Sequence, residues 1–414
     1  MAAIIDYRGK TPRKTTTGVP LITAKIVKGG RIESPDEFVD PDEYDDWMRR
    51  GLPQVGDVVL TTEAPLGEVA QLQEARVALA QRLILLRGKP GVLDNTYLRF
   101  LMMSANVQSQ LQGRASGTTV LGIKQSELRK VVLSLPPVEE QRAIAGVLGA
   151  LDDKIEQNRR TAQSLERLAQ AIFRAWFVDF EPVKAKAAGA TAFPSMPQPI
   201  FDALPTCFVD SDIGPVPEGW MPKAVSSAFE VNPVRSLRKD GPAPYLDMKN
   251  MPTEGHAPES WMMREVGSGM RFMNGDTLVA RITPCLENGK TAFVDFLGDG
   301  QIAWGSTEYI VLRPKPPLPP VFAYCLARTD EFREFAIQNM TGTSGRQRVT
   351  PTAMDHFQIA VPSPAVAVGF GKIVQPLFGC IRAEMDESRK LAEMRDYLLP
   401  KLLSAAVRVE TADG

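Results

Sequence analysis

The chain has 414 residues, enough for two or three domains, and its 44% hydrophobic and 23% charged content is typical of a globular protein. Lysine and arginine together number 48 and aspartate and glutamate 49, so the net charge of −1 identifies no partner by itself. Four scattered cysteines, two histidines and the lack of an apolar run near ~18 residues argue against a disulfide framework, a metal site and a membrane span, and predict a cytoplasmic protein.

Residues 1–135 are predicted to form a mixed, strand-rich domain. Short apolar runs between turn signals favour strands, and a longer apolar segment favours a helix. The predicted elements are, in chain order, an extended run at Pro20–Ile22, the turn Gly56-Asp57, strands at Val58–Leu60 and Leu83–Leu86, and a helix over Tyr97–Met103.

Residues 219–362 repeat this order, which predicts a second domain of the same fold. Its elements are Pro244–Leu246, the turn Gly275-Asp276, Thr277–Val279, Tyr309–Leu312 and a helix over Val321–Leu326. Leu86-Arg87 returns as Leu312-Arg313 and Pro136 returns as Pro362, both at a sequence offset of 226. The Gly-Asp turns differ by 219 instead, so loop lengths vary while the elements persist.

A long helix is predicted to follow each domain, in residues 136–180 and 363–407. Glu139 and Glu140 suit the positive end of the first helix, and Ser363-Pro364 provides an N-cap and a first helical residue for the second. Pro400 is expected to end or kink the second helix. A helix of this size is roughly 60 Å long at ~1.5 Å per residue.

Apolar residues recur along both helices at alternating intervals of three and four, which predicts a coiled-coil seam. The two seams share the offset of 226, so we expect them to pair with each other. Asn158 either fixes the register of this seam or faces water, and Met385 and Met394 are candidates to replace polar residues in the second helix. The predicted seam consists of Leu148, Leu151, Ile155, Asn158, Leu165 and Ile172 in the first helix and Val374, Leu377, Ile381, Leu391 and Leu398 in the second.

Residues 181–218 are predicted to be a linker without a core, because alanines and scattered prolines dominate them. No catalytic motif is found elsewhere. Gly289-Lys290-Thr291 resembles the end of a phosphate-binding loop, but Pro284 occupies the place of its first glycine. We therefore expect neither enzymatic activity nor a cofactor or metal in this chain.

Several motifs, taken in order, resemble the specificity subunit of type I restriction-modification systems. The resemblance covers nearly the whole chain, and its specificity lies in the order of the motifs together with the repeat. The motifs are Gly9-Lys10-Thr11-Pro12, Leu135-Pro136-Pro137-x-x-Glu140-Gln141, Phe177-Val178-Asp179-Phe180-Glu181-Pro182, Asp212-Ile213-Gly214-Pro215-Val216-Pro217-Glu218-Gly219-Trp220, Thr341-Gly342-Thr343-Ser344-Gly345-Arg346-Gln347 and Tyr397-Leu398-Leu399-Pro400-Lys401-Leu402-Leu403-Ser404.

The resemblance implies an α+β protein in which two target-recognition domains each read one half of a split DNA site. It implies an antiparallel coiled coil that sets the spacing and binds two methyltransferase subunits, and motor-nuclease subunits that join for restriction. S-adenosylmethionine, ATP and Mg²⁺ would then bind to the partner subunits. The segment Trp220–Lys223, which opens the second domain, has no counterpart before Met1, so the first domain is expected to lack its opening segment.

The candidate DNA-binding residues are the cations of the predicted loops, because such binding needs phosphate contacts and side chains that reach base edges. Glycines beside some of these cations let a loop approach a backbone closely. The two Ser-Gly loops, Ser116-Gly117 and Ser344-Gly345, could instead be turns that the repeated fold requires. The candidates are Arg8, Lys10, Lys14, Lys25, Arg114 and Lys124 in the first domain and Arg235, Arg238, Lys249, Arg281, Lys290, Arg346 and Arg348 in the second.

The alternative function is a scaffold: a degenerate specificity subunit that keeps its helices and brings proteins together without reading both halves of a DNA site. The identity of the recognised bases and the length of the spacer cannot be deduced from these residues.

Overall fold

The computed structural model describes residues 1–7, 12–238, 240–343 and 345–409, and its contacts divide the chain into two compact units. Unit 1 comprises Met1–Glu156 and Ser388–Gly414, and unit 2 comprises Gln157–Glu387. This division differs from the five predicted segments, because each unit contains one predicted domain and half of each long helix.

Unit 1 has two four-stranded sheets, in the orders β1-β10-β7-β8 and β2-β6-β3-β9, and a small hairpin of β4 and β5. Its helices are α1 (Tyr44–Trp47), α2 (Asn95–Met103), α3 (Ala105–Gly113), α4 (Gln125–Leu128) and the first part of α5 (Val138–Phe177). Its strands are β1 (Ala3–Asp6), β2 (Lys14–Thr15), β3 (Val19–Ile22), β4 (Val27–Lys28), β5 (Arg31–Ile32), β6 (Phe38–Val39), β7 (Val58–Thr62), β8 (Leu66–Gln71), β9 (Ala78–Leu79) and β10 (Leu83–Arg87).

Unit 2 contains the rest of α5 and the shorter helices α6 (Glu181–Ala187), α7 (Gln198–Asp202), α8 (Val225–Ala228), α9 (Val321–Ala327) and α10 (Asp330–Gln338), a 3₁₀ turn (Pro351–Asp355) and the first part of α11 (Pro364–Leu403). Its strands are β11 (Phe208–Val209), β12 (Val216–Pro217), β13 (Met221–Ala224), β14 (Phe229–Val231), β15 (Pro242–Leu246), β16 (Met262–Glu265), β17 (Met270–Met273), β18 (Thr277–Ala280), β19 (Thr291–Phe293), β20 (Ile302–Gly305), β21 (Tyr309–Pro314), β22 (Met340–Thr341), β23 (Arg348–Val349) and β24 (Gln358–Val361).

The internal repeat is confirmed by the sheets. The order β14-β21-β18-β19 in unit 2 matches β1-β10-β7-β8 in unit 1, with antiparallel pairing throughout. Each unit also contains one parallel pair, β3 with β9 and β15 with β20. One difference concerns β13, which pairs with β24 in unit 2, whereas residues 132–135 of unit 1, which correspond to β24, form no strand.

A buried ion pair explains why the Gly-Asp and Leu-Arg dipeptides recur. In unit 1, both carboxylate oxygens of Asp57 accept hydrogen bonds from Arg87, at 2.7 and 2.6 Å. In unit 2, Asp276 accepts from Arg313 and from Arg235, each at 2.7 Å. Each aspartate also accepts from a backbone N–H three residues earlier, at 2.8 Å, and is fully buried. In both units the ion pair therefore attaches the Gly-Asp turn to a neighbouring strand. This strand is β10 in unit 1 and β21 in unit 2.

The two long helices pack antiparallel within each unit, as predicted. In unit 1, Ile144, Ala145 and Leu148 near the start of α5 share a core with Leu402 near the end of α11. In unit 2, the end of α5 shares an aromatic core with the start of α11, where Phe173, Trp176 and Phe177 surround Phe370. Each helix thus begins in one unit and ends in the other.

The predicted seam residues all lie on the covered side of the helices. Leu148, Asn158, Ile172, Val374 and Ile381 are buried, and the remainder are half-buried. The half-buried ones are Leu151, Ile155, Leu165, Leu377, Leu391 and Leu398. The prediction that Met394 replaces a polar residue in the seam is wrong, because Met394 is 52% exposed. Met385 is half-buried against a core cluster of unit 2.

Asn158 lies inside the seam and bonds across it, so the alternative that it faces water is wrong. Its side-chain amide donates to Glu387 Oε2 at 2.7 Å and to the backbone oxygen of Glu384 at 3.4 Å, and only 1% of the residue is exposed. A buried amide that bonds to one position on the partner helix favours that register over its neighbours.

A charged cluster in unit 1 has an apolar counterpart in unit 2. Asp152 on α5 bonds to Arg99 on α2 at 2.8 Å and to Arg395 on α11 at 2.9 Å. At the repeat offset of 226, these three positions correspond to Phe378, Cys325 and Ala169, which are buried together in the core of unit 2. The same three positions of the repeat are thus filled by ions in one unit and by apolar side chains in the other.

Three sequence predictions about the second helix and the linker need correction. Ser363 does not cap α11 through its side chain, because its buried hydroxyl oxygen has no hydrogen-bond partner. Of the two outcomes expected at Pro400, the end of the helix is wrong, because α11 continues to Leu403. Residues 181–218 do take part in a core: Val183, Phe201 and Leu204 are almost fully buried in unit 2. Prolines and alanines obscured these widely spaced apolar side chains.

Among the described helices, α11 is the one that is long and apolar enough to pass a length and composition test for a membrane span, contrary to the expectation from sequence. Core helices pass the same test. Val366, Ala367, Phe370 and Val374 of α11 are fully buried in the core of unit 2, which is the environment of a core helix.

Candidate nucleic-acid interface

Among the predicted cations of the first domain that the structure describes, Lys14, Lys25 and Lys124 are exposed and Arg114 is half-buried. Lys14 forms an ion pair with Glu37 at 2.9 Å, and Lys25 with Asp36 at 2.7 Å. Arg114 donates to the backbone oxygen of Lys130 at 3.3 Å, and Lys124 is exposed beside α4. Exposed ion pairs contribute little to stability, so these lysines can exchange a carboxylate for a phosphate at small cost. Arg8 and Lys10 lie outside the described residues.

Five of the seven predicted cations of the second domain fall into three groups. Arg235 is 8% exposed at its side chain and bonds to Asp276, so it is better placed to hold the sheet than to contact DNA. Lys290 donates to the backbone oxygens of Met248 and Lys249, at 2.6 and 3.2 Å. Lys249, Arg238 and Arg346 are exposed residues on loops, which leaves their charges accessible to an anion.

The two Ser-Gly loops are attached to the same place in the repeated fold. In unit 1, Gly122 forms bridges with Ser116 and Glu63. In unit 2, the hairpin of β22 and β23 closes the loop, and Arg348 forms a bridge with Ile282. Gly122 and Arg348 are related by the repeat offset of 226, so the base of each loop is a turn that the fold requires.

The tips of these loops nevertheless differ, and they are exposed in both units. Residues 117–121 of unit 1 carry no charge and expose Val120 and Leu121 by about half. The loop of unit 2 carries exposed Arg346. The two interpretations of these loops are compatible, since a common base presents a different tip from each unit.

Glu308 holds the two arginines at the base of the second loop. Its carboxylate accepts hydrogen bonds from Arg281 Nε at 3.1 Å and from Arg348 Nε at 2.9 and 3.0 Å. Arg348 also donates to the backbone oxygen of Arg346 at 2.9 Å. Of the predicted cations, the structure thus brings Arg281 and Arg348 together, with Arg346 beside them at the loop tip.

This cluster predicts a pH dependence of stability. Burial raises the pKa of Glu308, but hydrogen bonds from Arg348 and Arg281 outweigh burial and hold the pKa below its ordinary value of 4.5. Because the pKa is lower in the folded chain than in the unfolded chain, the cluster stabilises the fold above pH 4.5 and loses this contribution as the pH falls below it. We expect the thermal midpoint of Glu308→Gln to fall less than that of the parent between pH 6 and pH 4. An equal fall in both proteins would contradict the assignment.

Two arginines outside the predicted set, Arg264 and Arg271, lie on an outer sheet face of unit 2. They were missed because they sit in strands rather than in loops. Two short runs of hydrophobic and charged residues, Met262–Glu265 and Met270–Met273, flank Gly267 and Gly269. This pattern is typical of two strands joined by a turn, and it could have identified both arginines as strand residues.

Comparisons with known proteins bear on what this repeated arrangement does. A family model described as the type I restriction modification DNA specificity domain matches residues 16–167, which cover most of the first domain and much of α5. The type I restriction enzyme MjaIX specificity subunit from Methanocaldococcus jannaschii is 25% identical over 365 residues, covering 86% of this chain and 78% of the relative. The chain is similar to the type I specificity subunits over most of its length.

Two further proteins of this kind are similar to the chain. The type I restriction enzyme HindI specificity subunit from Haemophilus influenzae is 23% identical over 326 residues, covering 66% of this chain and 69% of that subunit. The crystal structure of the type I restriction-modification system S subunit from M. genitalium superposes with a TM-score of 0.53 at 15% identity, over 95% of this chain and 92% of that one. The predicted fold of two similar domains and two long helices is confirmed.

Proposed function

We propose that the chain is the specificity subunit of a type I restriction-modification complex and reads a split, asymmetric DNA site, one half with each domain. The observation that carries the proposal is one repeated fold with two different surfaces. The sheets, the buried ion pair and the loop base recur in both units, whereas the loop tips and the exposed cations do not. A common scaffold that presents different side chains suits two half-sites of different sequence.

The antiparallel helices would then set the spacing between the half-sites and provide the docking surface for two methyltransferase subunits. A bond such as that from Asn158 to Glu387 fixes one register, and a ruler needs a fixed register. The chain would act without catalysis of its own, in the cytoplasm. Methylation and restriction would be carried out by methyltransferase and motor-nuclease partners that bind S-adenosylmethionine, ATP and Mg²⁺.

Methylation mapping tests this proposal directly. The chain is co-expressed with a type I methyltransferase subunit encoded beside it, and the host DNA is sequenced for modified bases. We expect a split motif with two different halves and one modified base in each half. A motif made of two identical halves would show that one domain does not read DNA.

An unmodified genome, obtained although a stable complex with the methyltransferase is isolated, would overturn the proposal and leave a scaffold. A complex that includes a variant with the loop-tip substitution Arg346→Ala serves as the matched comparison. Loss of one half of the motif in that variant would assign this half to the second domain.

A further inference from the structure

One row of side chains crosses all four strands of the sheet β16-β15-β20-β17 in unit 2. Met262 pairs with Tyr245, Tyr245 with Trp304, and Trp304 with Arg271. Residues paired across neighbouring strands have their side chains on the same face of a sheet. These four side chains therefore lie side by side on one face.

The other face of this sheet belongs to the core. Leu246, Phe272 and Ala303, which alternate with the row, are almost fully buried in one apolar cluster. All four residues of edge strand β16 are exposed, and Met262 at the end of the row is 46% exposed. The row thus lies on the outer face of the sheet, with an accessible edge at β16.

Arg264 covers the aromatic part of this outer face. It lies two residues from Met262 on the same strand, so its side chain has the same orientation. Its guanidinium carbon is 4.8 Å from the ring centre of Tyr245 and 5.7 Å from that of Trp304, and the two rings are 4.4 Å apart. Stacking on aromatic faces holds a guanidinium while leaving its N–H groups available for an acceptor.

The outer face has positive charge that the protein does not neutralise. Within the described residues, neither Arg264 nor Arg271 forms an ion pair with a carboxylate. Arg271 contributes its backbone oxygen to Arg235, at 3.3 Å, but its own Nε is buried without a partner. The charges of these two guanidinium groups are therefore available to an anion that binds to this face.

Trp304 adds a second donor without an acceptor. The residue is 4% exposed, and its indole Nε1 has no hydrogen-bond partner in the described structure. Trp304 pairs with Arg271 on the neighbouring strand, and the Nε of Arg271 also lacks a hydrogen-bond partner. Buried donors cost free energy when they lack an acceptor.

The corresponding face of unit 1 is apolar. The parallel pair Leu21 and Ala78 corresponds to Tyr245 and Trp304, because it joins the equivalent strands β3 and β9. Leu21, Ala78 and the neighbouring Val39 are almost fully buried in a core cluster. The fold therefore does not require cations or aromatic side chains at these positions, and their presence in unit 2 needs a functional reason.

We propose that this outer face, formed by Met262, Tyr245, Trp304, Arg271 and Arg264, binds the sugar-phosphate backbone of duplex DNA beside the half-site of the second domain. The inference rests on the proposed function. The guanidinium groups would neutralise phosphates, and Met262 would contact a deoxyribose.

The experiment measures DNA affinity against salt concentration for the complete complex with methyltransferase subunits. The probe is a fluorescent duplex that carries the motif found by methylation mapping. Each phosphate contact contributes about −0.9 to the slope of log K against log salt. We expect Arg264→Gln/Arg271→Gln to make the slope less steep by about 2, in line with two lost contacts. The matched control Lys315→Gln/Arg333→Gln removes the same charge elsewhere in unit 2 and should leave the slope unchanged.

Two further variants separate DNA contact from folding. Arg264→Lys/Arg271→Lys keeps the charge and should restore the slope, which a purely structural role of the guanidinium groups would not allow. Met262→Glu places a carboxylate at an exposed position and should weaken binding about tenfold while the thermal midpoint stays unchanged. An unchanged slope in the glutamine variant, with the parent complex still binding its motif, would overturn the inference alone. A parent complex that binds no duplex would overturn the proposed function and the inference with it.

Discussion

Replacing Asp276 with alanine is expected to lower the free energy of unfolding by about 3–5 kcal/mol, because it leaves two arginines without their buried carboxylate. Asp276 is fully buried, and the side chain of Arg235 is only 8% exposed, so water cannot replace the lost partner. The backbone N–H of Met273 also loses its acceptor. Chemical denaturation followed by circular dichroism measures the loss.

Asp330→Ala is the matched control for this substitution. Asp330 lies in the same unit and pairs with Arg333, but its side chain is 70% exposed, so we expect a loss below about 1 kcal/mol. Asp57→Ala in unit 1 should destabilise less than Asp276→Ala, because the side chain of Arg87 is 22% exposed. A loss at Asp276 no larger than that at Asp330 would show that the repeated ion pair does not hold the turn.

The second large effect is expected at Asp152, where one carboxylate bonds to Arg99 and Arg395. Asp152→Ala removes the anion that lies between the guanidinium groups of Arg99 and Arg395. Burial already lowers the pKa of Arg99, so its charge is costly without this partner. Removing one member of a buried ionic cluster costs about 3–5 kcal/mol, so unit 1 should unfold at clearly lower denaturant.

The internal repeat suggests a set of substitutions that should restore the stability lost in Asp152→Ala. The combined substitution Arg99→Cys, Asp152→Phe and Arg395→Ala installs the apolar side chains that occupy the corresponding positions of unit 2. Replacement of a complete buried ionic cluster by apolar side chains is often neutral or stabilising. We therefore expect the triple variant to recover most of the stability lost in Asp152→Ala. A triple variant as unstable as the single one would mean that the helices of unit 1 require the charged cluster.

Local signals were sufficient to predict the repeat and most of its elements. The Gly-Asp turns, the apolar runs after them and the alternating seam lie within a few residues of one another, so they can be identified without knowledge of the fold. The predicted segments 136–180 and 363–407 start within two residues of the observed starts of α5 and α11. The linker was misjudged because Val183, Phe201 and Leu204 are too far apart to form a local pattern.

The site could be predicted less well, because charge along a chain does not reveal where a side chain is buried. Arg235 was selected as a loop cation, yet its partner Asp276 lies 41 residues away and buries it. Arg264 and Arg271 were passed over, since their proximity to Trp304 depends on three pairings among four strands. Strand register and long-range ion pairs are tertiary properties, and no local pattern determines them.

The position of the two compact units along α5 and α11 has a consequence for building chimaeras. The division falls between Glu156 and Gln157 and between Glu387 and Ser388, in the middle of both helices. A recognition domain transplanted by a cut at residue 135 would lose Ile144, Ala145 and Leu148, which are buried in its own core. A graft that exchanges residues 1–156 together with the segment after Glu387 would transfer an intact core. The transferable module of this protein is therefore a recognition domain with two half-helices attached.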